Sequence, residues 1–145
     1  MARIQRPGTA LLSPPLGDLL SLSEQDFSNA LRVAITAARL GVTLWRQPAG
    51  KVRTDRGTWV ECAPVGAADL TGVVAPEGWR VELEIKGART RETPEQVRWR
   101  ERMTALGCLA LTLRLDAART LAENASDAAE TVRAAIASRR VHAPR

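Results

Sequence analysis

The sequence is short of the residues from which many catalytic and metal sites are built. Its 145 residues include one histidine, two cysteines, one phenylalanine and no tyrosine. The histidine, His142, falls in a predicted C-terminal tail, which argues against a serine–histidine or cysteine–histidine nucleophile. Cys62 and Cys108 lack the CxxC spacing of a zinc site, and we expect both to be plain core residues. Two thiols without a disulfide framework suit a reducing compartment, so we expect a cytoplasmic protein.

Long hydrophobic runs are also missing. No segment approaches the roughly 20 apolar residues that a membrane-spanning helix requires, and the most apolar stretch, "TALLSPPLGDLLSL", is interrupted by two prolines and a glycine. That stretch lacks the core and cleavage site of a signal peptide, so we expect no membrane partner. Composition predicts a flexible N-terminal arm over residues 1–21, one domain over 22–140 and a tail over 141–145.

Basic residues outnumber acidic ones, and the formal net charge is +5. This balance favours a polyanion such as nucleic acid as partner, although a general preference for arginine would give the same charge without any partner. Only two of the 21 basic residues are lysines, Lys51 and Lys86. A lysine is therefore unusual in this chain, and Lys86 suggests a role that arginine does not serve.

Periodicity and capping residues predict the order of the secondary structure. Helices are predicted over 23–40 and 93–106. Strands are predicted over 42–47, 58–63, 68–74, 79–87 and 108–114, with a basic loop or hairpin after the first of them. Two short helices starting at Asp116 and Ser126 complete the chain. This order predicts an α/β fold in which helices flank a small mixed sheet, with the last strand parallel to a neighbour.

The strand "RVELEIKG" has an unusual polar face. Alternation places Val81, Leu83 and Ile85 on one side, and the other side is charged. The charged residues are Arg80, Glu82, Glu84 and Lys86. A solvated face is the common meaning of such a pattern, and we interpret Glu82 as surface charge.

Two carboxylates and a lysine are predicted to meet at one end of the sheet. Asp69 begins one strand and Glu84 and Lys86 end the next, and a turn over 75–78 joins the two strands. In an antiparallel pair these positions adjoin. Neighbouring carboxylates repel unless a cation lies between them, and Mg²⁺ commonly uses one or two carboxylates together with waters and phosphate oxygens. Asp69 could equally be a turn residue that binds backbone N–H groups.

Four segments form a series with a specific order and spacing: "LWRQPAGK" (44–51), "GAADLTG" (66–72), "ELEIKG" (82–87) and "TPEQVRWRERMTALG" (93–107). In this series, over about residues 23–122, the chain resembles the VRR-NUC branch of the PD-(D/E)XK nucleases, the virus-type replication–repair nucleases. It departs from the family at Ala68, where the family often has a proline before the aspartate.

The resemblance implies a restriction-endonuclease-like core and Mg²⁺- or Mn²⁺-dependent hydrolysis of DNA. It implies metal binding by Asp69, by Glu84 and by the Ile85 carbonyl, with Lys86 close to the nucleophile. The match extends to two further positions, Gln96 and Glu24. Gln96 would point toward the site, and Glu24 matches an acidic position that can join the metal. Both also have local explanations, since Gln96 fits a capping box after Thr93 and Glu24 suits the first turn of a helix.

Exposed basic residues are predicted to contact DNA phosphates. The candidates are Arg46, Lys51, Arg53, Arg89 and Arg91. The four tryptophans could stack on bases, but Trp99 is interpreted as core, and Trp45 and Trp79 as packing residues.

The sequence is therefore predicted to encode a metal-dependent DNA endonuclease. We expect a phage-derived repair enzyme that acts on branched DNA such as flaps or Holliday junctions. Junction cleavage would need two sites and hence a homodimer. The alternatives are a catalytically inactive DNA-binding module with the same fold and an RNA-directed or toxin-like nuclease.

Overall fold

The computed structural model describes residues 22–143, so the arm predicted over 1–21 lies outside the described residues. The described part has three helices, α1 (Glu24–Ala37), α2 (Pro94–Ala105) and α3 (Leu121–His142). Its six strands are β1 (Val42–Arg46), β2 (Lys51–Arg53), β3 (Trp59–Glu61), β4 (Leu70–Val74), β5 (Trp79–Lys86) and β6 (Leu109–Arg114). The architecture is mixed α/β, as predicted, and is compatible with the small core that the resemblance implies.

The main sheet has four strands in the order β1-β4-β5-β6. The β4–β5 pair is antiparallel, with Leu70 opposite Leu83, and β1 pairs antiparallel with β4. The β5–β6 pair is parallel, which confirms the prediction for the last strand. β2 and β3 form a separate antiparallel hairpin.

One face of the sheet is apolar and packs against α1 and α3. Phe27, Leu31 and Ile35 recur at helical spacing on α1 and are buried against the core cluster. Leu83 and Ile85 of β5 belong to the same cluster. Ser23 begins α1 as its N-cap, with its side chain accepting from a backbone N–H. These contacts belong to the hydrophobic core of the described chain.

Three of the four residues on the charged side of β5 are buried, and the fourth, Arg80, is exposed. Glu82 is 1% exposed, Glu84 4% and Lys86 7%. The helix α2 lies against β5 and β6 and contributes Gln96 and Trp99 to this side. The interpretation of Glu82 as surface charge was therefore wrong, because alternation identifies the two sides of a strand but not what covers them.

The C-terminal region is one long helix, so the prediction of two short helices was wrong. Thr120, rather than Asp116, is the N-cap, and it forms a capping box with Glu123. Ser126 lies on the exposed side of the continuous helix. The helix extends to His142, and so includes the first two residues of the range predicted as tail. A strong capping box outweighed the two weaker helix-start signals.

Two expectations about burial also need correction. Cys62 and Cys108 are free thiols and are partly exposed, so neither is a plain core residue. Trp99 is also only partly buried. No helix within residues 22–143 combines the length and apolar character needed to cross a lipid bilayer.

Gly72 allows β1 to lie close to β4. A Cβ atom built at Gly72 would overlap the carbonyl oxygen of Thr43 and meet a Leu44 methyl group at 2.8 Å. We expect Gly72→Ala to lower the free energy of unfolding by about 1–3 kcal/mol, because the two strands must move apart. Urea unfolding measures the change. The control is Val73→Ala at the next position, where the side chain is 41% exposed; equal losses in the two variants would contradict the prediction.

Candidate active site

Asp69 lies beside the end of β5, as predicted from the turn between the strands. Leu70 pairs with Leu83, so Asp69, one residue before β4 begins, stands opposite Glu84. The Ile85 N–H donates to Asp69 Oδ2 at 2.8 Å. The carboxylate thus takes the place of a backbone acceptor at the end of the ladder. This bond holds one oxygen of Asp69, while Oδ1 receives no hydrogen bond from residues 22–143.

Glu84 is held from two sides. Lys86 Nζ lies 3.0 Å from Glu84 Oε1, and Gln96 Nε2 donates to the same oxygen. The Gln96 side-chain oxygen accepts from the Thr93 N–H at 2.9 Å and so completes the capping box. The two explanations of Gln96 are therefore compatible, because one amide group serves the helix cap with its oxygen and the site with its nitrogen.

The pKa values of both Asp69 and Glu84 are raised above their ordinary values. Burial raises the pKa of Glu84 to about 7, with a further increase from the charge of Asp69 and an opposing effect from Lys86. Loss of hydration around its carboxyl group also raises the pKa of Asp69, although the Ile85 N–H and Lys86 oppose the change. A raised pKa means that the charged form of each carboxylate is destabilised. A bound cation would stabilise that charged form in place of a proton.

Glu24 reaches the same sheet edge but has protein partners. Its Oε1 accepts from the Gly87 N–H at 2.7 Å and from Thr90 Oγ1 at 2.6 Å. Burial alone would raise the pKa of Glu24, but these bonds, together with the charges of Lys86 and Arg114, lower it. The charge of Glu24 also contributes to raising the pKa of Asp69. Glu24 therefore belongs to the electrostatics of the site, and its role as a metal ligand stays a prediction.

Glu82 connects the strand β5 to the helix α2, a role that the sequence pattern did not indicate. Trp99 Nε1 donates to Glu82 Oε2 at 3.0 Å, and Thr71 Oγ1 donates to Oε1 at 2.9 Å. Arg80 pairs with Oε1 as well. Trp99 is one helical turn after Gln96, just as Glu82 is one strand repeat before Glu84. The helix α2 is thus fixed on β5 by two parallel contacts, and the spacing of Gln96 and Trp99 was the signal that could have revealed it.

Glu92 is a second acid with partners in the protein that the sequence pattern did not indicate. It pairs with Arg100 at 3.0 Å and accepts from Thr112 Oγ1 at 2.8 Å. The hydrogen bond from Arg100 is the main cause of its lowered pKa, which Thr112 and the charge of Lys86 lower further. Thr112 stands beside Glu84 in the parallel ladder. No local sequence signal identifies Glu92, because its partners come from α2 and β6.

The residues predicted to contact DNA are all exposed: Arg46, Lys51, Arg53, Arg89 and Arg91. Arg46 ends β1, and its charge acts on Asp69. Arg89 and Arg91 lie in the loop between β5 and α2, directly after Lys86. Lys51 and Arg53 lie on the separate hairpin. Arg89 and Arg91 are therefore close to Lys86 along the chain, and Arg46 is close to Asp69 because it pairs with Leu70. The contacts with DNA stay predictions.

The side chains fit a hard divalent ion only as part of its ligand set. Within residues 22–143 no three His, Cys, Asp or Glu side chains are grouped so that they could hold a metal ion. Asp69 and Glu84 offer two carboxylates, and Mg²⁺ commonly binds with one or two carboxylates, waters and substrate phosphate oxygens. The donor set, with both pKa values raised, is compatible with such an ion. The Ile85 carbonyl as a third ligand stays a prediction.

Comparison with known proteins gives no independent assignment. No protein-family model matches the chain, and no curated protein matches it either.

The contact between Trp99 and Glu82 can be tested by stability. Trp99→Phe leaves the buried Glu82 oxygen without its indole donor, and we expect a loss of about 1–3 kcal/mol in the free energy of unfolding. Urea unfolding provides the measurement. Arg98→Ala, an exposed change one residue earlier on α2, serves as the control. Equal stability of Trp99→Phe and wild type would show that the hydrogen bond does not fix the helix.

Divalent ions should stabilise the fold through Asp69 and Glu84. We expect Mn²⁺ far above its Kd to raise the thermal midpoint of the wild type by on the order of 5 °C, because the ion binds only the folded site. Asp69→Asn should lose the increase, since asparagine can still accept from Ile85 but carries no charge. Differential scanning fluorimetry measures the shift, and Glu101→Gln, at an exposed acid of α2, should retain it. An equal increase in Asp69→Asn would place the ion elsewhere.

Proposed function

We propose that the chain is a metal-dependent nuclease that hydrolyses phosphodiester bonds in DNA. One observation carries the proposal: Asp69, Glu84 and Lys86 lie together at one end of the sheet. Ile85 and Gln96 fix the two carboxylates, and Glu84 and Lys86 are buried, whereas Asp69 is exposed. A structural ion pair would need only one of the acids. A second carboxylate beside the pair, whose charge adds to the effect of burial in raising the pKa of Glu84 to about 7, is a cost that a catalytic role would explain.

The side chains have distinct roles in this proposal. Asp69 and Glu84 would hold the divalent ion, Mg²⁺ or Mn²⁺. When bound, the ion would activate water and offset negative charge on the phosphate. Lys86 orients the attacking water and faces the phosphate, and its ammonium group is held by Glu84. The water oxygen forms a new bond to phosphorus, one ester P–O bond breaks, and the products are a phosphate monoester and a hydroxyl.

Gln96 acts as a positioning residue. Its amide nitrogen donates to the Glu84 oxygen that also contacts Lys86. It therefore limits the rotation of Glu84 without contacting the substrate. Its oxygen is held by the helix cap, so the orientation of the amide is fixed as well.

The substrate proposed is DNA with a branch, such as a flap or a four-way junction. The net charge of +5 and the exposed Arg46, Arg89 and Arg91 support binding of a phosphate backbone. The preference for branched DNA, the homodimer that junction cleavage would need and a role in phage-linked repair rest on the resemblance to VRR-NUC nucleases. The two free cysteines suit a reducing cytoplasm.

A DNA-binding module without activity is the rival. It would have no need for the paired carboxylates, and loss of any one of Asp69, Glu84 or Lys86 would favour it. The chain retains all three. The nuclease is therefore the better-supported proposal.

Nicking of supercoiled plasmid tests the proposal directly. We expect relaxation by the wild type with Mg²⁺ or Mn²⁺ and none with EDTA. Asp69→Asn, Glu84→Gln and Lys86→Ala should each lower the rate by about 100-fold or more, because each removes a charge at the reacting phosphate. Glu101→Gln, at an exposed acid of α2, should keep the wild-type rate.

The same assay separates the rivals. If wild type and Lys86→Ala both bind DNA and neither cuts it, the binding module is the correct interpretation. Faster cleavage of RNA than of matched DNA would favour an RNA-directed enzyme. Labelled linear, flap, splayed and four-way DNAs then determine which structure is cut.

A further inference from the structure

The β2–β3 hairpin carries an exposed aromatic residue between cations. All six residues of β2 and β3 are exposed, and the two strands pack mainly against each other. Trp59 is 63% exposed, compared with 47% for Trp45, and Trp79 and Trp99 are partly buried. Because Trp59 is so exposed on a small hairpin, its indole contributes little to a hydrophobic core. The residues around it therefore indicate what kind of partner it could contact.

The register places Trp59 and two basic residues on one face of the hairpin. Arg53 pairs with Trp59, and Lys51 pairs with Glu61. Because side chains alternate along a strand, these four residues share one face, while Val52 and Val60 form the other. None of the ion pairs within residues 22–143 involves Lys51 or Arg53. Arg53 and Trp59 lie nearer the tip, and Glu61 lies at the root beside Lys51.

The hairpin leaves the sheet at the edge that carries the candidate active site. Its chain departs after Arg46, the end of β1, and returns just before Asp69. The Gln47 N–H donates to the Asp69 carbonyl at 2.9 Å. Further backbone bonds close the root, from Gly50 N to the Ala63 carbonyl at 2.7 Å and from Cys62 N to the Gly50 carbonyl at 2.8 Å. A nucleic acid with its phosphate at Asp69 would therefore lie beside the hairpin root.

We infer that this face, formed by Lys51, Arg53 and Trp59, binds a single-stranded part of the nucleic acid, with an unpaired base stacked on Trp59. The inference rests on the proposed nuclease function and narrows its substrate to DNA that exposes unpaired bases near the cut. Stacking on an aromatic ring tolerates any base, and the cations contact the phosphates on either side. In a continuous duplex the bases are stacked on one another and are not available to the indole.

Binding without cleavage tests the inference. The probes are a fluorescein-labelled oligothymidine of about ten nucleotides and a blunt duplex of the same length, in EDTA. We expect Trp59→Ala to weaken single-strand binding by about 5- to 100-fold, as expected for the loss of one stacked base. Duplex binding should change by less than about threefold, since phosphate contacts remain. Trp59→Phe should retain most of the affinity, because a phenyl ring still stacks.

A matched control is available on the same hairpin. Val60 is next to Trp59, is 46% exposed and points to the opposite face. Val60→Ala should bind both probes as the wild type does. The single strand should also quench tryptophan fluorescence in the wild type but not in Trp59→Phe, a readout that a purely structural role would not change. Circular dichroism checks that each variant is folded.

Three outcomes would overturn the inference. Trp59→Ala could bind the single strand as tightly as the wild type, or lose both probes equally. A dimeric wild type that becomes monomeric in Trp59→Ala would identify the face as an interface between copies. Failure of the proposed nuclease activity would be a separate result. If the wild type never nicks plasmid but Trp59→Ala still binds the single strand more weakly than the wild type, the proposed activity is contradicted and the binding face is supported.

Discussion

The contact between α2 and β5 is the interaction on which the candidate site depends. Gln96 and Trp99 donate to Glu84 and Glu82 from successive turns of the helix. These bonds allow β5 to be buried on both sides, although every second residue from Glu82 to Lys86 is charged. Without the helix, the charged side would be exposed to water, Glu84 would lose its burial, and the pKa of about 7 that burial gives it would fall.

Burying so much charge requires that every group has a partner. Within the described residues no buried side-chain nitrogen or oxygen lacks a hydrogen bond. Glu82 is neutralised by Arg80 and bonded by Thr71 and Trp99, and Glu92 is paired with Arg100. Glu84 differs, because it shares a single lysine with Asp69 close by. The imbalance is confined to the position where the proposed chemistry would need a cation, while the surrounding acids are balanced by the protein itself.

Local sequence signals were enough for much of the fold and for the centre of the site. Alternation and a short turn predicted that Asp69 adjoins Glu84 and Lys86, since an antiparallel register follows from the turn. The burial of Glu82 was not predictable in this way, because it depends on a helix that follows later in the chain. The partners of Glu24 were also out of reach, since Gly87 and Thr90 lie more than 60 residues away and no local pattern connects them. The predicted start of α3 was wrong for another reason. Asp116, Thr120 and Ser126 can all cap a helix, and the structure uses Thr120.

Asp69, Glu84 and Lys86 all come from the single β4–β5 hairpin. Their mutual spacing is consequently fixed by neighbouring backbone hydrogen bonds and hardly depends on how the helices settle against the sheet. Small movements of the helices relative to the sheet would change the access of solvent and substrate to these three groups, but not the distances between them. The same arrangement makes the trio vulnerable to one kind of error: a one-residue slip of the ladder would turn the acids and the lysine toward the apolar layer.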